Sequence, residues 1–393
     1  MLLKLGKKGR KLRILLTELG NMASGDEALY IAATRRLLTA GHNVTWLVRL
    51  PFEKTIKTAN LSVKQIILPI HAEWFEQPLN NGDLSLQFKM NAPKQWSMLN
   101  RLIKSHDVVM VSPGGKFLDG YSIPRVLLTA AMAQLQNKPV IMLHQSVGPL
   151  SKETDIQLLC SVTKSCRLIV LRDDRSHAFA SKHGWLDEHV VLSRDLIFAE
   201  NYPLLSMADV PYDLGVNFRF GFNGHTTLEM IDAFFVDYRR LHPNHNVLWY
   251  STTHELDHGA VAIADRHRII IQPKVSAYPD YLSSPGKCSL NITDSFHGAI
   301  FSILADKPVI ICQPDLDSHK FQGSSVPGRP TWNPMRGLIE KSDILLMLER
   351  IDAVRSNMHD CMELQRQLLD YGREHARTGW TAVENSLAGL QSG

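Results

Sequence analysis

A histidine at a predicted strand-to-helix junction has the clearest chemical potential in this sequence. A predicted strand ends in Asp294 and Ser295, and Phe296, His297 and Gly298 open a small, apolar helix pattern. A histidine there can donate to an anionic ligand or act as an acid or base near neutral pH, and the helix-start amides favour the same anion. A cap histidine with purely structural bonds would produce the same pattern. The segment alone leaves both roles open.

A second strand-to-helix turn follows the first predicted strand, over residues 21–28. It contains Asn21, Gly25, Asp26 and Glu27. Its backbone amides favour an anion or a polar ligand group, and Asp26 is a good helix cap. A plain capped helix also accounts for these residues. The turn is neither Gly-x-Gly-x-x-Gly nor a Walker loop, so it gives no support to nicotinamide or ATP binding.

Two further turns follow strongly apolar predicted strands. Gly114 and Gly115 come after residues 108–111, and Gln145 comes after residues 140–143. Paired glycines let the backbone approach a ligand closely or adopt positive φ, although a tight turn without a ligand is an alternative. We expect both turns at the carboxyl edge of a parallel sheet, where such sheets bind ligands.

Arginines lie just beyond a predicted strand in each half of the chain. Arg172 follows residues 168–171, and Arg219 follows residues 214–218. The planar guanidinium suits carboxylate and phosphate groups, so either arginine can clamp a small anion. For Arg172, a salt-bridged helix start is the alternative, because Asp173 and Asp174 supply partners.

Short apolar runs alternate with amphipathic stretches and must position these residues. Strands are predicted at residues 12–16, 44–48, 63–68, 108–111, 140–143, 168–171, 214–218, 246–250, 269–271, 290–293 and 309–312. Helices are predicted at residues 28–40, 228–241 and 298–304 and from residue 257, and a last segment at 342–388 is also predicted to be helical. Runs that are apolar on both faces imply a sheet covered on both sides, and the alternation is typical of doubly wound parallel α/β domains.

The length of the chain and a local change in amino-acid composition predict two domains. A linker is expected between residues 201 and 214, where two prolines and several polar residues occur. We therefore expect one Rossmann-like lobe at residues 1–205, a second at 206–345 and a C-terminal helical segment at 346–393. The fold class is α/β, with the two lobes facing across a cleft in a GT-B-like arrangement.

Composition excludes several classes of protein. The 43 Lys+Arg against 39 Asp+Glu leave a net charge of +4, which argues against a dedicated nucleic-acid binder. The chain has no run of about 18 consecutive apolar residues, so no membrane span is predicted. The apolar stretch that follows the basic residues 4–13 is too short to be the core of a secretion signal, although peripheral contact of these residues with anionic lipid is an open interpretation. Five cysteines without a Cys-x-x-Cys pair favour a reducing, cytoplasmic location, and no His or Cys spacing predicts a metal site.

In combination, these segments resemble the polysaccharide pyruvyl transferase family over about residues 12–345. The matching positions, in chain order, are Asn21, Gly25, Asp26, Glu27, Gly114, Gly115, Gln145, Ser146, Gly148, Pro149, Arg172, Asp173, Ser176, Asp195, His297 and Gly298. No single motif is decisive, but the order of five motifs makes the combination fairly specific.

Two departures from the family pattern affect the expected site. The first turn carries two more residues between Asn21 and Gly25 than the compact version. Many members have Arg-Leu-His where this chain has Ser295-Phe296-His297, which removes one expected contact to the donor. The resemblance then implies that other cations compensate, and the candidates are Arg172, Arg219 and Lys320.

The resemblance implies phosphoenolpyruvate as the donor, a pair of sugar hydroxyls as the acceptor, and no cofactor or metal. The first lobe is expected to bind the acceptor and the second the donor. The expected catalytic residues are His297, Asp26 and Glu27. The expected donor-binding residues are Arg172, Arg219, Ser295, Phe296, Gly298 and Lys320, and the expected acceptor-binding residues are Asn21, Gly25, Gly114, Gly115 and Gln145. The acceptor is a sugar or a lipid-linked oligosaccharide of surface polysaccharide (exopolysaccharide) or glycan biosynthesis.

Two other functions fit the same sequence. A GT-B glycosyltransferase that uses a nucleotide sugar would share the fold, because one architecture hosts many reactions. A sugar-binding homologue without activity would explain the missing arginine.

Overall fold

The chain forms two compact units in a computed structural model. The structure describes residues 10–19, 24–75, 83–200, 210–218, 227–251, 258–272, 280–312, 336–337 and 344–392. The first unit comprises Met1–Asn21, Leu29–Leu196 and His375–Gly393, and the second comprises Met22–Ala28 and Ile197–Glu374. The predicted sites at Asn21, Arg219 and Lys320 lie outside the described residues.

A parallel sheet forms the centre of the first unit. Its strands are β1 (Arg13–Leu19), β2 (Asn43–Val48), β3 (Lys64–Ile67), β4 (Val108–Val111), β5 (Gly114–Phe117), β6 (Val140–Val147), β7 (Leu168–Leu171) and β8 (Val190–Leu192). The strand order is β3-β2-β1-β4-β6-β7-β8, and β5 pairs with β6 off this path. The order reverses between β1 and β4, which is the topological switch point where parallel sheets of this kind bind ligands.

Helices connect the strands of the first unit and cover its sheet. They are α1 (Ser24–Thr39), which belongs to the first unit from Leu29 onward, α2 (Glu53–Thr58), α3 (Leu84–Asn91), α4 (Pro93–Lys104), α5 (Ile123–Leu135), α6 (Glu153–Lys164) and α7 (Asp174–Lys182). The sheet strands β4, β6 and β7 are buried along their whole length, because both faces are covered.

A second parallel sheet forms the centre of the second unit. Its strands are β9 (Leu214–Asn217), β10 (Val247–Trp249), β11 (Ile270–Ile271), β12 (Asn291–Thr293), β13 (Val309–Cys312) and β14 (Arg336–Gly337), in the order β11-β10-β9-β12-β13-β14. Its helices are α8 (Leu228–Leu241), α9 (His258–Arg266), α10 (Asp280–Gly286), α11 (Phe296–Leu304) and α12 (Ile344–Ser356). The switch point of this sheet lies between β9 and β12.

The predicted α/β fold class is confirmed, but two details differ from the sequence-based expectation. Residues 114–117 were expected to form a turn, whereas they form β5, which pairs in parallel with β6. Gly114 has φ 147°, a conformation that favours glycine. The last helix, α13 (Met358–Gln391), lies in the segment predicted as a separate C-terminal piece, and residues from His375 onward pack in the first unit. Within the described ranges, none of the helices has the length and apolar character that a bilayer crossing requires.

Candidate functional site

His297 occupies the first turn of α11, directly after β12. Ser295 is the N-cap, and its hydroxyl accepts a hydrogen bond from the Gly298 amide at 3.4 Å. Across residues 291–300, His297 is the one partly exposed position and the others are buried. Its ring lies near Phe296 and Phe301, with centroid distances of 5.5 and 6.2 Å. The packing therefore holds the imidazole at the carboxyl edge of the sheet, where the residue as a whole is partly exposed and its Nε2 is buried.

Polar side chains at the switch point of the second sheet fix this helix start. Thr293 at the end of β12 donates its hydroxyl to Asn217 Oδ1 at the end of β9, at 3.1 Å, and accepts from the Ser295 amide at 3.0 Å. Asn217 donates to the carbonyl of Tyr250 at 3.0 Å. A Cβ at Gly298 would lie 3.0 Å from Asn217 Oδ1 and closer still to Thr293 Oγ1. Glycine at 298 is therefore required for α11 to begin this close to the strands.

The structure brings two sequence-predicted segments together in the second unit. Gly25, at the start of α1, packs directly against the imidazole of His297, and any Cβ on Gly25 would overlap the ring. Asp26 and Glu27 follow in the same helical turn, where Asp26 is partly exposed and Glu27 is 4% exposed. The expected catalytic residues of the first turn and the late helix thus belong to one compact unit.

Arg172 lies in the first unit and forms the centre of a buried network. Its Nη1 donates to Asp195 Oδ2 at 2.7 Å, and both side chains are at most 2% exposed. Its Nε donates to the Ser146 hydroxyl at 2.7 Å, and that hydroxyl donates to Asp173 Oδ2 at 2.6 Å. The network pairs the cation with a carboxylate and hydrogen bonds, as burial demands.

Asp173 links this network to α7. It is the N-cap, and its Oδ1 accepts from both the amide and the hydroxyl of Ser176, at 2.8 and 2.6 Å. In place of the alternative of a salt-bridged helix start, Asp195 pairs with Arg172, whereas Asp173 caps the helix.

The predicted acceptor-binding residues of the first unit surround the same network. A Cβ at Gly115 would lie 3.2 Å from Arg172 Nη2, so a larger residue at position 115 would crowd the guanidinium. Gln145 donates to the carbonyls of Ser112 and Leu143 at 2.7 and 2.8 Å, and its Oε1 is buried without a hydrogen-bond partner among the described residues. The amide oxygen of Gln145 therefore retains an unused acceptor.

His144 is a buried histidine that the sequence interpretation did not single out. Its Nδ1 lies 2.9 Å from the carbonyl of Arg194, so this nitrogen carries the proton, and Nε2 has no hydrogen-bond partner among the described residues. The pKa of His144 is lowered to about 4, mainly by burial and to a smaller extent by the positive charge of Arg172. His144 also has φ 41°, a left-handed backbone conformation that is uncommon for a residue other than glycine.

A second missed cluster lies at the end of β1 and consists of Glu18, Ser112, Lys116 and Arg125, which we call the switch-point cluster. Lys116 Nζ donates to the Ser112 hydroxyl at 2.6 Å and to the carbonyl of Glu18. Arg125 Nη1 lies 3.6 Å from Glu18 Oε2. The available sequence signal was a lone acidic residue interrupting an apolar strand.

In the described part of the chain, no group of three or more His, Cys, Asp or Glu side chains is arranged to hold a metal ion.

Solved structures with the same fold include HepE from Anabaena and several UDP-GlcNAc 2-epimerases. HepE from Anabaena, in complex with UDP, has 11% identity and a TM-score of 0.62, covering 97% of this chain and 100% of that one. UDP-GlcNAc 2-epimerase from Neisseria meningitidis, bound to UDP-GlcNAc, has 10% identity and a TM-score of 0.62, covering 95% and 100%. The enzyme of the same name from Methanocaldococcus jannaschii has 11% identity and a TM-score of 0.57, covering 86% and 92%. At these identities the likeness shows the fold, which is two Rossmann-like lobes of the GT-B-like kind.

Sequence comparison identifies the family. Comparison with curated proteins gave no match. The polysaccharide pyruvyl transferase family model matches residues 24–315, a range that includes the Gly25, Gly115, Arg172 and His297 segments described above. This range exceeds half of the chain, and the chain therefore belongs to the polysaccharide pyruvyl transferase family.

Proposed function

We propose that the protein transfers the enolpyruvyl group of phosphoenolpyruvate to two hydroxyls of a sugar and closes a pyruvate ketal. The observation that carries this proposal is the packing of Gly25 against His297, because it joins two segments of the family pattern in one compact unit. The product fits the biosynthesis of a surface polysaccharide (exopolysaccharide) or glycan.

The proposed reaction balances without a cofactor. The donor methylene carbon takes up a proton, and the neighbouring carbon becomes electrophilic and bonds to the first acceptor oxygen. The carbon–oxygen bond to phosphate then breaks, and the second acceptor oxygen bonds to the same carbon. The two acceptor hydroxyls lose one proton each. One of these protons restores the acid that protonated the methylene carbon, and the other leaves with the phosphate.

His297 is the proposed phosphate contact and acid. It is the one partly exposed residue of positions 291–300, and it lies in the first turn of α11, where helix amides favour an anion. Ser295 caps that turn and Gly298 allows its close approach to the strands. The imidazole can deliver a proton near neutral pH, which the methylene carbon requires.

Arg172 is the proposed clamp for carboxylate or phosphate. Asp195 and Ser146 hold its guanidinium in one orientation, and the glycine at position 115 lets the backbone lie close to Nη2. Such fixed orientation lowers the entropic cost of binding an anion. Asp26 and Glu27 remain the first-turn candidates for orienting the acceptor.

A nucleotide-sugar transferase is the second candidate, and two structural neighbours solved with UDP or UDP-GlcNAc favour it. The acceptor product separates the two functions. A pyruvate ketal adds a carboxylate and the mass of pyruvate less one water, whereas glycosyl transfer adds a sugar residue.

The direct test of the site uses His297→Ala with phosphate release as the readout. Phosphoenolpyruvate is incubated with the protein and with galactosides, glucosides and mannosides. We expect His297→Ala to lose about 100-fold or more of the rate, since a positioned acid contributes on that order. His359→Ala, which removes an exposed histidine of α13, is the matched control and should keep the wild-type rate. A folded His297→Ala variant with near wild-type turnover would overturn the assigned role.

A further inference from the structure

The switch-point cluster lies where a parallel sheet is expected to bind its ligand. Glu18 is near the carboxyl end of β1, and Ser112 directly follows β4, its neighbour across the reversal of strand order. The Ser112 hydroxyl donates to the carbonyl of Glu18 at 3.0 Å, so the two strand ends are joined at this point. Sheets of this type bind ligands beyond the carboxyl ends of the strands at such a reversal.

The backbone of β1 departs from regular geometry to place Glu18. The register between β1 and β2 shifts between Leu16 and Leu19, and Glu18 has φ 59°. Left-handed backbone is uncommon for a residue with a long side chain, and irregularities of this type re-aim side chains near functional sites. The strand therefore accepts strain in order to direct a carboxylate to this point.

The Glu18 carboxylate lies beside the Arg125 guanidinium, but the ion pair between them is not hydrogen-bonded. The side chains of Glu18 and Arg125 are each 8% exposed, and the 3.6 Å separation between Oε2 and Nη1 is too long for a hydrogen bond. Arg125 Nη1 is buried and has no hydrogen-bond partner among the described residues. A buried donor left without a partner is costly, so a group from outside the described residues is expected to satisfy it.

A hydroxyl is the ligand group whose hydrogen bonding complements both of these side chains. Its oxygen accepts from the Arg125 N–H, and its proton is donated to the Glu18 carboxylate. An anionic oxygen would satisfy Arg125 but would be repelled by Glu18. An ammonium group would satisfy Glu18 but would be repelled by Arg125 and by the nearby Lys116 and Arg49, both of which act electrostatically on Glu18.

We propose that the switch-point cluster binds an acceptor hydroxyl and that Glu18 takes the proton from it. The proposal deepens the proposed function and rests on it for the chemical step. As the acceptor oxygen bonds to the electrophilic carbon of the donor, the O–H bond breaks and its proton moves to the Glu18 carboxylate. Arg125 orients the same oxygen, and Lys116 holds the Glu18 backbone through its carbonyl.

The electrostatics of Glu18 suit a proton acceptor. Burial raises the pKa of Glu18, and the opposing effects of Arg125, Lys116 and Arg49 are smaller. A carboxylate whose pKa is raised takes up a proton more readily at working pH than an exposed one.

Sugar binding without a donor tests the site independently of the reaction. The probes are methyl galactoside, glucoside and mannoside, and the readout is the rise in melting temperature on binding. We expect the sugar that raises the melting temperature of the wild type to raise that of Glu18→Gln, which keeps a hydrogen-bonding side chain. The double variant Glu18→Gln/Arg125→Met should lose this rise. A full rise in the folded double variant would overturn the proposed hydroxyl site.

Activity tests the proton transfer. With phosphoenolpyruvate and the sugar, Glu18→Gln should lose about 100-fold or more of kcat/KM. Wild-type kcat/KM should rise with pH through the pKa of Glu18, and the variant should lack that rise. Glu53→Gln, an exposed carboxylate in α2, is the control and should behave as the wild type. Glu18→Gln activity within threefold of the wild type, or loss of the pH rise in Asp26→Asn with its retention in Glu18→Gln, would overturn the proposal.

The design separates folding and the proposed function from this inference. Glu18→Gln leaves Arg125 buried without its carboxylate, so unfolding is a risk, and the double variant removes that charge. If the single variant does not fold, the double variant serves as the test and should show no sugar-dependent phosphate release. If the wild type does not react with phosphoenolpyruvate, the proposed function fails, while the donor-free sugar measurement still tests the hydroxyl site.

Discussion

Replacing Asp195 by alanine should destabilise the first unit strongly. The substitution leaves the Arg172 guanidinium buried, at 3% exposure, without the carboxylate that lies 2.7 Å from Nη1. Removing one partner of a buried ion pair costs about 3–5 kcal/mol, because the remaining charge is uncompensated. For a unit of roughly 200 residues, each kcal/mol lowers the melting temperature by about 2–4 °C. We therefore expect a decrease on the order of 10 °C.

A double-mutant cycle distinguishes this pair from a simple loss of packing. Arg172→Met removes the charge, and Arg172→Met/Asp195→Ala removes both partners. The double variant should recover much of the stability lost in Asp195→Ala, because no unpaired charge remains. Glu73→Gln is the control, since Glu73 and His71 are both exposed and such a pair contributes at most about 1 kcal/mol.

The measurement is chemical denaturation of all four variants followed by circular dichroism, with the melting temperature as a second readout. A loss below about 1 kcal/mol in Asp195→Ala would refute the inference that the pair is structurally important. So would a double variant less stable than Asp195→Ala. The folded double variant also serves the functional question, since it should retain structure while losing the proposed donor clamp.

Two other predictions follow from buried contacts. Gly25→Ala should force the His297 imidazole to move, costing about 1–3 kcal/mol of stability and at least tenfold in turnover; wild-type activity would contradict the close packing. His144 should make the fold acid-sensitive, because its pKa is about 4 when folded and close to 6.5 when unfolded. The unfolded chain binds the proton first, so about 3 kcal/mol of stability is present above pH 6.5 and is lost as the pH falls to about 4. His144→Asn, which tolerates positive φ, should flatten this pH dependence of the unfolding free energy, and an unchanged slope would contradict the assignment.

Much of the fold could be predicted from local pattern. Runs that are apolar on both faces identified the covered parallel strands, and the amphipathic period placed α8 at residues 228–241, the bounds it has in the structure. The late helix was predicted from residue 298, and it begins two residues earlier because Ser295 supplies the cap. Such elements can be predicted from the local sequence because intrinsic propensity, hydrophobic pattern and capping residues all favour the same structure.

The parts of the site that depend on distant contacts could not be predicted. Glu18 and Arg125 are far apart in sequence, and neither residue type indicates that the two side chains meet at a strand reversal. The pairing of residues 114–117 with β6 depends on neighbouring strands, whereas the sequence shows only two glycines that suit a turn. The sequence offered the neighbouring carboxylates only as an alternative partner for Arg172, whereas its partner in the structure is the more distant Asp195.

The mass of the acceptor sugar after incubation with phosphoenolpyruvate tests the central proposal most directly. We predict that the mass rises by that of pyruvate less one water, that one phosphate is released for each product, and that His297→Ala forms the product about 100-fold or more slowly. An acceptor that stays unchanged with phosphoenolpyruvate but gains a sugar residue from a UDP-sugar would contradict the proposed reaction.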